Sequence, residues 1–143
     1  MTDFDPKIRA DGLGLDLVYK DPGYGRHGLY IPRLRAIVLK PDMHPIHERW
    51  VFTHEIMHHE TGTKHTGGSS ERDRIIENQC NLMAARELIT VEELAAQAYE
   101  SNDRGQWAMN LRVTGRAITT RMKHLTYLEK TMFDSIRRRH DAA

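Results

Sequence analysis

The chain has 143 residues, 39% of them hydrophobic and 29% charged, with a formal net charge of +1. That is enough chain for one domain with a real core, and the near-neutral balance gives no general attraction to nucleic acid. Cys80, the single cysteine, excludes an intramolecular disulfide and a four-cysteine zinc site, and suits a reducing compartment. No apolar run approaches the roughly 20 residues of a membrane span. The start Met1-Thr2-Asp3-Phe4-Asp5 lacks the basic and apolar regions of a signal peptide, so the expected location is the cytoplasm, with no membrane partner.

In chain order, residues 1–12 read as a polar turn or loose arm. Leu13, Leu15, Leu17 and Tyr19 alternate with Gly14, Asp16 and Val18 as a first strand. The run Asp21-Pro22-Gly23-Tyr24-Gly25 is a turn signal. Gly28 to Ile31 forms a second strand, and Ala36 to Leu39 a third after the turn Pro32-Arg33-Leu34-Arg35. The connections are too short for crossover helices, which predicts a small antiparallel sheet. An edge strand of it would hold an extended peptide by strand addition.

A helix follows, with Pro45 in its first turn and Gly62 as its stop. It carries His54-Glu55-Ile56-Met57-His58. Histidines four residues apart share one face of a helix and reach one metal ion, for which Zn²⁺ is the usual occupant. Glu55, at the edge of that face, is placed to take a proton from the water the metal activates. Val51, Phe52, Ile56 and Met57 supply apolar surface for packing, and His59 is turned away from the pair. His44 and His47 belong to the loop or first turn before the motif.

After Gly62, residues 63–70 make a polar loop containing His65, read as a solvated histidine rather than a ligand. Ser70 caps a helix from Glu71 to Leu88, with Ile76, Cys80, Met83 and Ala84 as its apolar stripe. Cys80 reads as a small core residue. A catalytic zinc needs a third protein ligand and one open position. The candidates are His65, Glu71, Asp73, Glu77 and Glu87. Glu77 is chosen, because it lies in the first half of that helix and beside the apolar stripe. Asn81, one turn on, could add a supporting hydrogen bond.

Thr90-Val91-Glu92-Glu93 is a capping box opening a helix to about Tyr99, and residues 101–105 break the chain. A helix from Gln106 to Leu111 is followed by Val113-Thr114 and a second helix from Gly115 to Leu128, a helix-turn-helix pattern. Arg116, Thr119, Thr120 and Lys123 face outward on it. The weak net charge favours a packing unit over a DNA-contacting one. The end of the chain, with Arg137-Arg138-Arg139-His140, reads as a basic tail. The fold class is therefore α+β. One domain, 1–143, is expected. It comprises a sheet with the zinc-site helices (13–89), a helical unit (90–130) and the tail (131–143).

Three segments in order resemble the ImmA/IrrE family of metallopeptidases. The first is Trp50-Val51-Phe52-Thr53-His54-Glu55-Ile56-Met57-His58. The second is Glu77 to Ile89, similar to the family's E-x-x-A-N-x-F-A-A-x-L-L segment. Cys80 and Met83 stand where alanine and phenylalanine are usual, and Thr90-Val91 where a proline often follows. The third is Leu111 to Ala117 with Arg121 to Leu125. The resemblance implies a zincin-like fold and a ligand set of His54, His58 and Glu77 of the gluzincin kind, with Glu55 catalytic. It also implies an activity: an endopeptidase, often carried by phages and mobile elements, that cleaves a cognate helix-turn-helix repressor. The longer N-terminal helix of many members has no counterpart here. Tyr24, Tyr30, His65 and Tyr99 are candidates for stabilising an oxyanion. The competing reading is a non-hydrolytic zinc-containing module that sequesters a repressor or toxin, or binds DNA; the intact Glu55 favours the enzyme.

Overall fold

The computed structural model describes residues 3–64 and 68–141. The order of elements is α1 (Pro6–Gly12), β1 (Asp16–Tyr19), β2 (Gly28–Ile31), a 3-10 turn (Pro32–Leu34), β3 (Ala36–Leu39), α2 (Pro45–Thr61), α3 (Glu71–Leu88), α4 (Val91–Glu100), α5 (Arg104–Leu111), α6 (Gly115–Lys123) and α7 (Tyr127–Asp141). The chain divides into two compact units, Phe4–Ala84 and the residues from Ala85 onward. The class is α+β, as the sequence predicts. Among the described residues no helix is long and apolar enough to cross a membrane.

In the first unit the sheet order is β1-β3-β2. β3 pairs antiparallel with β2 but parallel with β1, in the register Leu17↔Ile37 and Tyr30↔Ile37. The sheet is thus mixed, which corrects the expectation of an all-antiparallel one. A parallel pair needs a long connection. Here β2 itself is part of that connection, and β3 inserts between the first two strands. The burial pattern gives the reason: every residue of β3 is buried, whereas β1 is largely exposed. A continuous apolar run such as Ala36-Ile37-Val38-Leu39 belongs in the centre of a sheet. Arg35 turns the chain between β2 and β3 in the left-handed region, φ 47°.

The N-terminal arm also differs from expectation. Pro6–Gly12 is a helix, with Asp5 accepting from the N–H groups of Lys7 and Ile8 and Pro6 in the first turn. Asp-Pro is a capping signal of the same kind as those used downstream. Arg9 of α1 pairs with Glu60 of α2 at 2.7 Å.

α2 begins where His44 Nδ1 accepts from the Ile46 N–H, and ends at Gly62 with φ 70°. Phe52, Ile56 and Met57 are buried, each worth about 1.5–3 kcal/mol. β2 approaches α2 at Gly28. A Cβ there would lie 2.5 Å from Val51 Cγ1 and 3.2 Å from Glu55 Cγ, so only glycine lets strand and helix come this close.

In the second unit Thr90, Asp103 and Thr114 cap α4, α5 and α6 through their side chains. α7 packs against α4. The core includes Leu94, Ala98, Trp107, Leu111, Ile118 and Phe133. α5 and α6 form the expected helix-turn-helix, with Val113 and Ile118 buried as a staple and Arg116, Thr119 and Lys123 exposed. α6 stops at Lys123 rather than Leu128, because Thr126 and Glu129 form a reciprocal cap that starts α7. The basic run Arg137 to His140 lies on α7, which continues to Asp141. Arg121 is buried. Its Nε donates to the Ile89 carbonyl at 2.9 Å, and its Nη2 donates to Glu129 Oε2.

Candidate metal centre

The site is built on two helices of the first unit. The four-residue spacing on α2 puts the His54 and His58 rings face to edge, with centroids 4.9 Å apart. α3 brings Glu77 to them. His54 Nε2 donates to Glu77 Oε2 at 2.7 Å, and His58 Nε2 lies 3.2 Å from Oε1 and 3.3 Å from Oε2. One ligand-type atom from each of the three residues lies within 4.8 Å of the others. Ligand atoms held about 2.0–2.1 Å from a tetrahedral zinc sit about 3.3 Å from one another. The histidine–carboxylate separations, 2.7 Å and 3.2–3.3 Å, lie at or below that value, and the three ligand atoms together span up to 4.8 Å, so the donor set fits such an ion after small side-chain shifts.

The electrostatics show three groups sharing a proton economy. Burial disfavours a charged His58, but its hydrogen bonds to Cys80 and Glu77 and its electrostatic interactions with Cys80 and Glu55 outweigh it, raising its pKa to about 10. Glu77 is pushed up by burial and pulled further down by hydrogen bonds from His54 and His58, ending well below the usual carboxylate range. The opposite shifts of His58 and Glu77 show that each stabilises the charged form of the other. A divalent cation held by His54, His58 and Glu77 would supply the positive charge that the carboxylate meets here.

Glu55 projects from the same helix and is 2% exposed. Burial pushes its carboxyl up, while the charges of His54 and His58 pull it back. The Tyr30 backbone N–H donates to it, and its Oε2 is buried without a hydrogen-bond partner among the described residues. A buried carboxyl oxygen beside two imidazoles and without a hydrogen bond among the described residues suits a group that exchanges a proton with a small reactant.

Of the other ligand candidates, Glu71, Asp73 and Glu87 are not in the cluster, and Asp73 is occupied in capping α3 with Ser70. His65 lies outside the described residues. Among the oxyanion candidates, Tyr24 is 97% exposed and Tyr99 belongs to the second unit. Tyr30 sits on β2, and its hydroxyl is 2.7 Å from His59 Nδ1. His59 thus ties α2 to the sheet instead of facing solvent. Asn81 is buried, but the hydroxyl that meets His58 is that of Thr63, 2.9 Å from Nδ1. Thr63 and Gly28 are the residues the sequence reading passed over. Their signals were a threonine just past a helix-ending glycine and a glycine inside a strand.

The IrrE N-terminal-like domain model of the peptidase M78 family matches residues 10–123. The chain belongs to this family. No curated protein matches it. As an IrrE-like peptidase the chain has a metallopeptidase-type function and a protein substrate, and the His54–His58–Glu77 cluster is its candidate metal centre. The match takes in both helices of this centre and the whole sheet.

Proposed function

We propose that this IrrE-like peptidase is a zinc-dependent endopeptidase that cleaves a cognate helix-turn-helix transcriptional repressor and so relieves repression, in the manner of a phage or mobile-element anti-repressor acting in the host cytoplasm. The observation that carries the reading is the convergence of His54, His58 and Glu77 beside a buried, partly unpartnered Glu55. In it, His54, His58 and Glu77 hold Zn²⁺, which supplies Lewis acidity towards a scissile carbonyl and a water.

The chain's own residues do the rest. Glu55 takes a proton from the attacking water and passes it to the leaving amine, and its raised pKa suits that double duty. β2 is an edge strand. The Lys40 N–H donates to the His27 carbonyl, so in the antiparallel alternation Gly28 and Tyr30 turn their backbone groups away from β3. That side lies along α2, with the Tyr30 N–H turned to Glu55, and its remaining outward groups support an extended peptide paired to β2. A non-hydrolytic zinc module would give Glu55 no task.

Glu55→Gln tests the reading. The variant retains the metal and loses cleavage of the repressor by at least about 10²-fold. Cleavage at the wild-type rate would refute the assignment of Glu55.

A further inference from the structure

His58 is fully buried, and a buried imidazole can offer a metal only one nitrogen. Which one depends on what holds the other. At the end of α2, Gly62 takes the left-handed conformation and the Thr63 N–H donates to the His58 carbonyl at 2.9 Å. This cap folds Thr63 back over the last turn, with Oγ1 2.9 Å from His58 Nδ1. Thr63 Oγ1 also lies 2.8 Å from Thr61 Oγ1, and Thr61 Oγ1 lies 2.9 Å from the Met57 carbonyl oxygen.

The direction of this chain of hydrogen bonds is fixed from its far end. A carbonyl oxygen only accepts, so the Thr61 hydroxyl donates to it. Thr61 Oγ1 therefore accepts from the Thr63 hydroxyl. Thr63, its single proton spent, accepts from His58, and Nδ1 carries a proton. Nε2 is then the nitrogen left to face Glu77.

We propose that Thr63, held by Thr61, is the positioning residue that sets the His58 tautomer and ring orientation for metal binding. The proposal rests on the reading of His58 as a metal ligand. A backbone-anchored hydroxyl here takes the place of the carboxylate or carbonyl that commonly orients a ligating histidine. Cys80, hydrogen-bonded to His58 and with its Sγ 4.0 Å from Thr63 Oγ1, is the competing partner, but sulfur is a weak acceptor.

The test is zinc affinity of the full chain, by competition with a chromophoric chelator, for wild type, Thr63→Val, Thr63→Ser and Cys80→Ala. Valine keeps the shape and the backbone cap but removes the acceptor, and serine restores it. Thr63→Val is expected to bind zinc about 10–100-fold more weakly, with Thr63→Ser and Cys80→Ala close to wild type. In the zinc-loaded wild type, ¹⁵N correlation spectra should show His58 protonated at Nδ1. Wild-type affinity in Thr63→Val, or an equal loss in Cys80→Ala, overturns the proposal and leaves the ligand assignment standing. A wild type that binds no zinc overturns both.

Discussion

Substituting Gly28 by alanine places a methyl group where α2 already is. Its Cβ would stand 2.5 Å from Val51 Cγ1, 3.2 Å from Glu55 Cγ and 3.3 Å from Leu39 Cδ2. Carbon atoms in contact prefer about 3.5–4.0 Å, so the first separation is short by about 1 Å. Val51 must leave its rotamer, at about 0.5–1.5 kcal/mol, or β2 and α2 must part. Overpacking of this kind costs about 1–3 kcal/mol, and the stiffer unfolded chain returns only about 0.4–1. Each kcal/mol lowers the melting temperature of a chain this size by about 2–4 °C. Because Glu55 is one of the atoms in the way, a shift of about 1 Å also costs on the order of 10²-fold in cleavage. Val51→Ala removes the worst contact. The double variant should therefore be more stable than the sum of the single losses predicts, by about 0.5–3 kcal/mol. Urea unfolding of the four proteins followed by circular dichroism, with cleavage assays alongside, measures both effects. A Gly28→Ala variant as stable and active as wild type, without coupling to Val51, would refute the described approach of β2 to α2.

Two further predictions concern charge. Glu129 is held down to about 2, chiefly by its hydrogen bond from the buried Arg121, so Glu129→Gln leaves that guanidinium uncompensated. The expected loss is about 3 kcal/mol, read as a drop in the unfolding midpoint, and an unchanged midpoint would show the pair to be dispensable. His47 is 2.8 Å from His27, and its pKa is lowered by burial and by the charges of His27 and His44. Below an unfolded-state value of 6.5 the unfolded chain takes up this proton more readily than the folded one, so stability falls as pH drops through and below 6.5. His47→Gln should flatten that part of the pH–stability curve, and an identical curve would contradict the reasoning.

The helices were legible because their signals are local. Ser70, Thr90 and Thr114 announce α3, α4 and α6, and the bounds of α3 agree with those read from the sequence. That His54, His58 and Glu77 come together was legible because helical periodicity pairs the first two and a neighbouring helix carries the third. The sheet order was not legible. Whether β3 lies between β1 and β2 depends on which strand buries both faces, a tertiary property. α1 was missed although Asp5-Pro6 signals it, since a seven-residue helix carries little periodicity. The break between α6 and α7 turns on the Thr126–Glu129 cap inside an otherwise continuous helical pattern. Thr63 lay hidden for a related reason. Its role arises from the fold-back of a helix end, which brings it to a histidine five positions earlier.

The central claim is that His54, His58 and Glu77 form one zinc site. Elemental analysis of the purified wild type and of Glu77→Ala, after equilibration with zinc and removal of the excess, tests it most directly. The account predicts about one zinc per chain in the wild type and loss or marked weakening in the variant, which keeps only two of three ligands. A wild type without bound metal, or a Glu77→Ala variant that holds zinc as tightly as the wild type, would contradict it.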